Sequence, residues 1–401
     1  MPHLPENAYA VNLCEDRYLF TVAFAAVASR GQACLLPTSR IDADVENAKH
    51  LFPNSYRLRD DALASWIGDR DAQDGALSLP PIPTDQIVAV PFTSGSTGPS
   101  QPHPKRWGEL VEGARLAERR FGFAAQDITA IVATVPPQHM YGFETSVMLP
   151  LVIGIGVHAA RPFFPDDVRQ ALADSAPRPV LVTTPVHLAA CVDLTLTWPP
   201  IAFVISATAP LPADLAARAE RTFAAPVLEI YGFTEAGSIA SRRTVNETDW
   251  RLYDSMTIRD GSLVAPHLSG TVPINDTIEL RSVERFALTG RSRDIVNIAG
   301  KRTSLAHLDH VLRGIDGIED GVFIIPDESS GRRTRLAAAV VAPLLSRRDI
   351  LTALMGLIDP LFLPRPLIIV DRLPRNACGK LLRHALLDLL HGHTGGRDRH
   401  R

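Results

Sequence analysis

Four short segments of this 401-residue chain concentrate residue types suited to phosphate and carboxyl chemistry. The first is Phe92-Thr93-Ser94-Gly95-Ser96-Thr97-Gly98, with two glycines and four hydroxyl side chains between Thr93 and Gly98. Glycine lets such a loop turn tightly, and its N–H and O–H donors can then converge on an anion. Lys105 follows seven residues after Gly98, so this is not a Walker A loop, which carries Gly-Lys-Ser/Thr at its helix start. An ordinary Ser/Gly turn has the same composition. The second segment, Glu229-Ile230-Tyr231-Gly232-Phe233-Thr234-Glu235, sets a hydroxyl beside a carboxylate. That pair suits a phosphate oxygen and a Mg²⁺ ion, or equally a helix cap. The third is Leu288-Thr289-Gly290-Arg291-Ser292-Arg293-Asp294, followed by Gly300 and Lys301. The fourth, Leu373-Pro374-Arg375-Asn376-Ala377-Cys378-Gly379-Lys380, holds one ammonium at the tip of a Pro…Gly-Lys turn.

Lysine is scarce: Lys49, Lys105, Lys301 and Lys380 are the only four among 41 basic residues. In an arginine-writing chain each lysine is a candidate for chemistry that guanidinium cannot perform. The remaining totals exclude several classes. A net charge of −3 gives no footprint for nucleic acid or an anionic membrane. Cys14, Cys34, Cys191 and Cys378 are scattered, which argues against a disulfide framework or a zinc site. The apolar run Tyr18–Ala28 is too short to span a bilayer and follows two acids. The expectation is a reduced, cytoplasmic protein with no membrane insertion.

The elements that must carry these segments are legible in the periodicity. Short apolar runs at Gln86–Phe92, Ala130–Val135, Val152–His158, Val180–Thr183, Ile201–Ser206 and Val227–Tyr231 read as strands. Trp107, Leu110, Val111, Ala114, Ala117 and Phe121 recur at helical steps, and Pro165-Asp166-Asp167 and Pro212-Ala213-Asp214 open further helices. Strands alternating with helices imply an α/β fold with layered sheets over residues 1–292, less defined over 1–85 beyond a helix at Tyr18–Ser29. Residues 293–390 read as a small α+β domain: a strand–turn–helix over Asp294–Arg313, strands at Gly321–Pro326, Leu336–Ala342 and Leu367–Val370, and helices near Arg348–Ile358 and Leu381–Leu390. Residues 391–401 read as a disordered tail.

In their order, and with the Arg291-to-Lys380 spacing, the four segments resemble the superfamily of adenylate-forming enzymes: acyl-CoA synthetases, peptide-synthetase adenylation domains and luciferases. The resemblance covers roughly residues 86–390. It implies that Thr93, Ser94, Gly95, Ser96, Thr97 and Gly98 cradle the ATP phosphates, with Lys105 as a displaced phosphate-loop lysine. It further implies that Tyr231 and Thr234 lie at the nucleotide, with Thr234 on the α-phosphate, that Glu235 holds Mg²⁺, and that Asp276 and Arg291 bind ribose or phosphate. Lys380 becomes the adenylation lysine, Arg293 the hinge of a mobile C-terminal domain, and Gly300 part of the thiol tunnel. His139, Tyr141 and Gly142, with Ser206, Ala207 and Thr208, fall where the family builds its acid pocket. The implied reaction joins a small aryl or acyl carboxylic acid to the thiol of CoA, or of an acyl carrier protein's phosphopantetheine, through an acyl-adenylate.

Departures from the family pattern are specific. Lysine is displaced behind Pro99, Pro102 and Pro104, Arg293 replaces the usual Asp or Lys, and only 41 positions separate Glu235 from Asp276. The early phosphate loop implies a shortened N-terminal subdomain, similar to that of small ligases from aryl-polyene and xanthomonadin-type pathways. A degenerate, non-enzymatic nucleotide-binding regulator is the alternative that these truncations raise.

Overall fold

The chain opens with a parallel α/β layer, seen in a computed structural model that describes residues 4–68, 80–93, 101–291, 295–298, 301–326, 335–376, 379 and 381–394. Its elements are β1 (Tyr9–Asn12), α1 (Arg17–Ser29), β2 (Ala33–Leu36), α2 (Asp42–Leu51), β3 (Ser55–Leu58), α3 (Asp60–Gly68) and β4 (Ile87–Thr93). The strands lie in the order β3-β1-β2-β4, all parallel. Asp16 caps α1 by accepting the Leu19 N–H at 2.9 Å, and Phe20, Ala23, Phe24 and Val27 bury one face. Sequence reading finds α1 but not β1–β3. Each of those strands is four residues long, and β2 is buried on both faces, so it shows no alternation. These strands form one sheet with the segment that leads into the candidate phosphate loop. β4 then pairs antiparallel with β5 (Gln101–Pro102) and β6 (Lys105–Arg106), so Ser94–Ser100, outside the described residues, join β4 to β5.

A second sheet follows. Its elements are α4 (Trp107–Phe121), β7 (Ala130–Ala133), α5 (Met140–Phe143), α6 (Leu149–Ile153), β8 (Gly156–Val157), α7 (Pro165–Asp174), β9 (Val180–Thr183), α8 (Pro185–Val192), β10 (Val204–Ser206), α9 (Ala213–Phe223), β11 (Val227–Phe233), β12 (Gly237–Arg242) and β13 (Trp250–Leu252). A π-helical turn, Glu144–Met148, joins α5 to α6. Strands β8-β7-β9-β10-β11 are parallel, and β12 and β13 continue antiparallel. Val132, Leu181, Val204 and Val227 bury one face of this sheet against Leu172, Leu188, Ala216 and Ala219 of α7, α8 and α9. The expected strand over Val152–His158 is a correction: Val152 and Ile153 end α6, and only Gly156–Val157 is extended. An apolar run does not distinguish helix from strand, and Gly154, at φ 73°, ends the helix inside it. A small antiparallel sheet of β14 (Thr257–Arg259), β15 (Ser262–Val264) and β16 (Val272–Pro273) closes this part.

By contact density the chain divides into two units, 1–273 with 281–286 and 377–379, and 274–280 with 287–376 and 380–401. The second unit takes in β17 (Asp276–Leu280) and most of β18 (Arg285–Arg291), then β19 (Ile295–Ile298), β20 (Lys301–Ser304), α10 (Leu305–Arg313), β21 (Asp320–Ile324), β22 (Ala337–Val341), α11 (Arg347–Met355), β23 (Leu367–Ile369) and α12 (Arg383–Thr394). The expected strand–turn–helix is a hairpin, β19–β20, before the helix. Alternation divides the β21-β22-β23 sheet into two faces. Phe323, Ala338 and Val340 pack on Leu308 and Leu312 of α10 and Ile350 and Leu354 of α11. Val322, Ile324, Ala337 and Ala339 pack on Leu386, Leu387 and Leu390 of α12. That helix continues to Thr394, past the expected start of the tail at His391. No helix among the described residues is long and apolar enough to cross a membrane.

Candidate active site

The turn between β11 and β12 carries Thr234 and Glu235, and the residues around it explain its shape. Tyr231 is buried in a ring cluster with Phe233, Trp250 and Phe286, which anchors the strand just before the turn. Gly237 restarts the chain at φ 80°, and a Cβ there would collide with the Glu144 carboxylate. Glu144 heads the π-helical turn and accepts the Ser238 N–H at 3.1 Å and its hydroxyl at 2.8 Å. From the other side comes Lys105 on β6, which is buried and donates from Nζ to the Glu235 carbonyl at 2.5 Å. Burial pulls the Lys105 ammonium below its usual range, against the carboxylates of Glu144, Glu109 and Glu235, which favour the charge. Loss of water raises the Glu144 carboxyl, opposed by its Ser238 bonds and by Lys105. His103, two residues before Lys105, is also lowered by burial, with Glu235 pulling it up and Lys105 pushing it down. Glu235 itself is half-buried, and its carboxylate has no hydrogen-bond or ion-pair partner among the described residues.

A second group of polar side chains gathers at the carboxyl ends of β7, β9 and β10, the edge where open α/β sheets bind ligands. The Tyr141 hydroxyl donates to the carbonyls of Thr183 (3.1 Å) and Ile205 (3.0 Å), tying β9 to β10. Gly142 makes this possible, since a Cβ would strike the Pro136 carbonyl. His139 is half-buried at the N-terminus of α5. Ser206 is fully buried, its hydroxyl without a hydrogen-bond partner among the described residues, and Ala207 is nearly fully buried. Thr208 is exposed at φ 81°, a left-handed conformation that a β-branched residue rarely adopts. Glu229 braces the segment after it: it accepts the Leu211 N–H at 2.9 Å, Arg242 Nε at 2.8 Å and the Thr244 hydroxyl at 2.9 Å.

Two groups here escape sequence reading. Gln138, beside His139, is buried, and its side-chain carbonyl oxygen has no hydrogen-bond partner among the described residues. His187, in the first turn of α8, sets Nδ1 3.2 Å from the Thr134 hydroxyl and 3.4 Å from that of Thr184, with its ring against Phe163. Burial and the neighbouring Arg161 lower its pKa. Its only sequence signal is its position, four residues past the β9 end at Thr183.

The first unit thus holds Lys105, Tyr231, Thr234 and Glu235 around one turn, and His139, Tyr141, Gly142, Ser206, Ala207 and Thr208 along the sheet edge. Thr93 ends β4. Asp276 begins β17 and Arg291 ends β18, both within the second unit. Ser94, Gly95, Ser96, Thr97, Gly98, Arg293, Gly300 and Lys380 lie outside the described residues. Among the described residues no three His, Cys, Asp or Glu side chains form a metal cage. Mg²⁺ does not need one: it takes one or two carboxylates, with waters and substrate phosphates completing its octahedron. The Glu235 carboxylate, without a hydrogen-bond partner among the described residues and next in sequence to the Thr234 hydroxyl, fits that demand.

A hydroxyl and a carboxylate held in a turn at the end of a parallel strand suit a nucleotide phosphate and its metal ion. The family described as AMP-binding enzyme matches residues 3–261, and the chain belongs to it. It is 29% identical over 302 residues to a 4-coumarate–CoA ligase of Halorhodospira halophila, covering 72% of this chain and 73% of that protein. Its fold is similar to that of ATP-bound MatB from Rhodopseudomonas palustris, with a TM-score of 0.81 at 17% identity over 96% of this chain and 89% of that one. It is also similar to the o-succinylbenzoate–CoA synthetase of Bacillus subtilis in complex with ATP and a magnesium ion, at a TM-score of 0.79 and 16% identity over 96% and 90% of the two chains.

Proposed function

We propose that this chain is an ATP- and Mg²⁺-dependent acid–thiol ligase acting through an acyl-adenylate. The observation that carries the reading is the β11–β12 turn of an AMP-binding family chain, where Lys105 holds the Glu235 main chain, Glu144 holds Ser238, and the Glu235 carboxylate has no hydrogen-bond or ion-pair partner among the described residues. In the first step a carboxylate oxygen of the acid attacks the α-phosphorus of ATP, forming the O–P bond as the bond to pyrophosphate breaks. Both partners are anionic, so the barrier is largely electrostatic. Thr234 holds an α-phosphate oxygen and Glu235 holds Mg²⁺, which when bound neutralises phosphate charge. Lys380 bridges acid and phosphate, a task for a compact ammonium rather than a planar guanidinium. In the second step a thiol sulfur attacks the acyl carbon, forming the C–S bond as AMP departs and the thiol proton is lost.

The thiol is that of CoA or of a carrier-protein phosphopantetheine, and the acid is aryl. The aryl assignment is supported by the 4-coumarate–CoA ligase relative. Three buried free thiols, Cys14, Cys34 and Cys191, suit a reducing, ATP-containing cytoplasm. The test is acid-dependent exchange of labelled pyrophosphate into ATP across a panel of aryl and fatty acids. Exchange with aryl acids is expected, and none with any acid overturns the reading. Product assays with CoA and with a holo carrier protein then assign the acceptor.

A further inference from the structure

Lys105 stands where a displaced phosphate-loop lysine is expected, but its ammonium is engaged elsewhere. It is 4% exposed and donates at 2.5 Å to the main-chain carbonyl of Glu235. Its strand, β6, pairs with β4 through Lys105 and Ala89, and β4 leads into the candidate phosphate loop. Behind the turn, Glu144 holds Ser238 by both its N–H and its hydroxyl. Among the carboxylates that favour the Lys105 charge, Glu144 is foremost. The turn bearing Thr234 and Glu235 is therefore gripped at Glu235 by a buried cation and at Ser238 by the carboxylate that compensates it. Gly237 permits the approach, because no side chain fits between the turn and Glu144.

We propose that Lys105 is a positioning residue: with Glu144 as its counter-charge, it fixes the Glu235 main chain and so sets the direction in which the Thr234 hydroxyl and Glu235 carboxylate leave the turn. The inference rests on the ligase reading and assigns Lys105 a role through Glu235 rather than on the phosphates. It also explains why the basic residue at this position is lysine. A compact ammonium reaches one carbonyl in a buried site, whereas a guanidinium brings further donors that need partners.

The test uses the full-length chain as wild type, Lys105→Met and Lys105→Met/Glu144→Gln, with two readouts. Thermal unfolding is expected to fall in the single variant, which strands the Glu144 charge, and to recover in the double variant, where both charges are gone. Calorimetric titration with ATP, with and without MgCl₂, is expected to show MgATP affinity about 10- to 100-fold weaker in both variants, the size typical for loss of a residue that orients a metal ligand. Mg²⁺-free ATP should bind all three proteins alike. If Mg²⁺-free ATP weakens as much as MgATP, Lys105 touches phosphate directly and the inference fails. If the double variant recovers MgATP affinity together with its stability, Lys105 is only structural and the inference fails. If wild type binds no MgATP, the ligase reading falls and takes this inference with it.

Discussion

Thr208 gives the sharpest test of how the candidate acid pocket is built. Among the described residues five non-glycine residues have positive φ, and Thr208, at 81°, is the β-branched one. The left-handed region costs an L-residue about 1–2 kcal/mol, because Cβ crowds the following carbonyl. Thr208→Gly removes that cost but frees the unfolded chain by about 0.4–1 kcal/mol. The net expectation is a gain of about 0.5–1 kcal/mol, or roughly 1–3 °C in the melting temperature of the larger unit. Its neighbour supplies the control. Ala207 is buried and is not among the positive-φ residues, so Ala207→Gly relieves nothing. It adds the same entropy cost and loses about 0.8 kcal/mol of methyl burial, so its melting temperature should fall. Calorimetric melts of the two variants should therefore move in opposite directions. Pyrophosphate exchange across an acid panel tests the functional half: removing the Thr208 side chain should raise kcat/KM for bulkier acids by about 10-fold, the worth of one or two methylenes in a pocket. A fall in stability for Thr208→Gly refutes the strain argument, and an unchanged ranking of acids removes Thr208 from the pocket.

Four further outcomes are expected. Glu229→Ala takes the carboxylate from Arg242, which keeps its bond to the Thr248 carbonyl, and leaves the buried Leu211 N–H without its acceptor; it should cost about 3 kcal/mol in urea unfolding, and a loss below about 1 kcal/mol would mean that solvent replaces the carboxylate. Gly237→Ala combines left-handed strain with a clash against Glu144 and should cost at least about 2 kcal/mol while weakening MgATP binding, so wild-type behaviour in calorimetry counts against the turn geometry. His187 has a folded pKa below its unfolded value, so the unfolded chain takes up this proton first as pH falls. Its contribution to stability is complete above the ordinary histidine pKa of about 6.5 and is lost as pH falls through the lower folded value, so urea midpoints between pH 7.5 and 5.5 should fall less steeply in His187→Gln. Finally, Lys380→Ala should abolish pyrophosphate exchange yet leave thiol transfer from a supplied acyl-adenylate, while Gly300→Trp should do the reverse; parallel loss of both steps in either variant contradicts the division of labour.

Helix α4 shows what made much of the fold legible. Its apolar residues recur at three- and four-residue steps, and Gly122 ends it in a left-handed turn, so Trp107–Phe121 emerges from the sequence as it stands in the structure. The C-terminal sheet is readable for the same reason: alternation in Val322, Phe323 and Ile324 assigns each residue to one of two helical layers. Legibility failed where period and length fail. Strands β1–β3 are too short to show a period, and the apolar stretch around Gly154 hides a helix end and a strand start in one run.

The candidate site divides along a different line. Its residue types were visible because Thr234-Glu235 and the Ser/Gly-rich loop are compositional signals that need no partner to be recognised. The supports were not visible, because each is a contact over long sequence separation: Lys105 to Glu235 spans 130 residues, Glu144 to Ser238 spans 94, and Tyr141 to Ile205 spans 64. Glu144 illustrates the point. In sequence it is one acid at the head of an apolar stretch, Glu144–Ile153, where a carboxylate looks like a solvated interruption. In the fold the same carboxylate fills the place of a Gly237 side chain and compensates a buried lysine. This acid, costly to enclose, accepts two bonds from Ser238 of the β11–β12 turn and is favoured as a carboxylate by the charge of Lys105 on β6. That is a reason for Lys105 to stay a lysine in a chain that otherwise writes arginine.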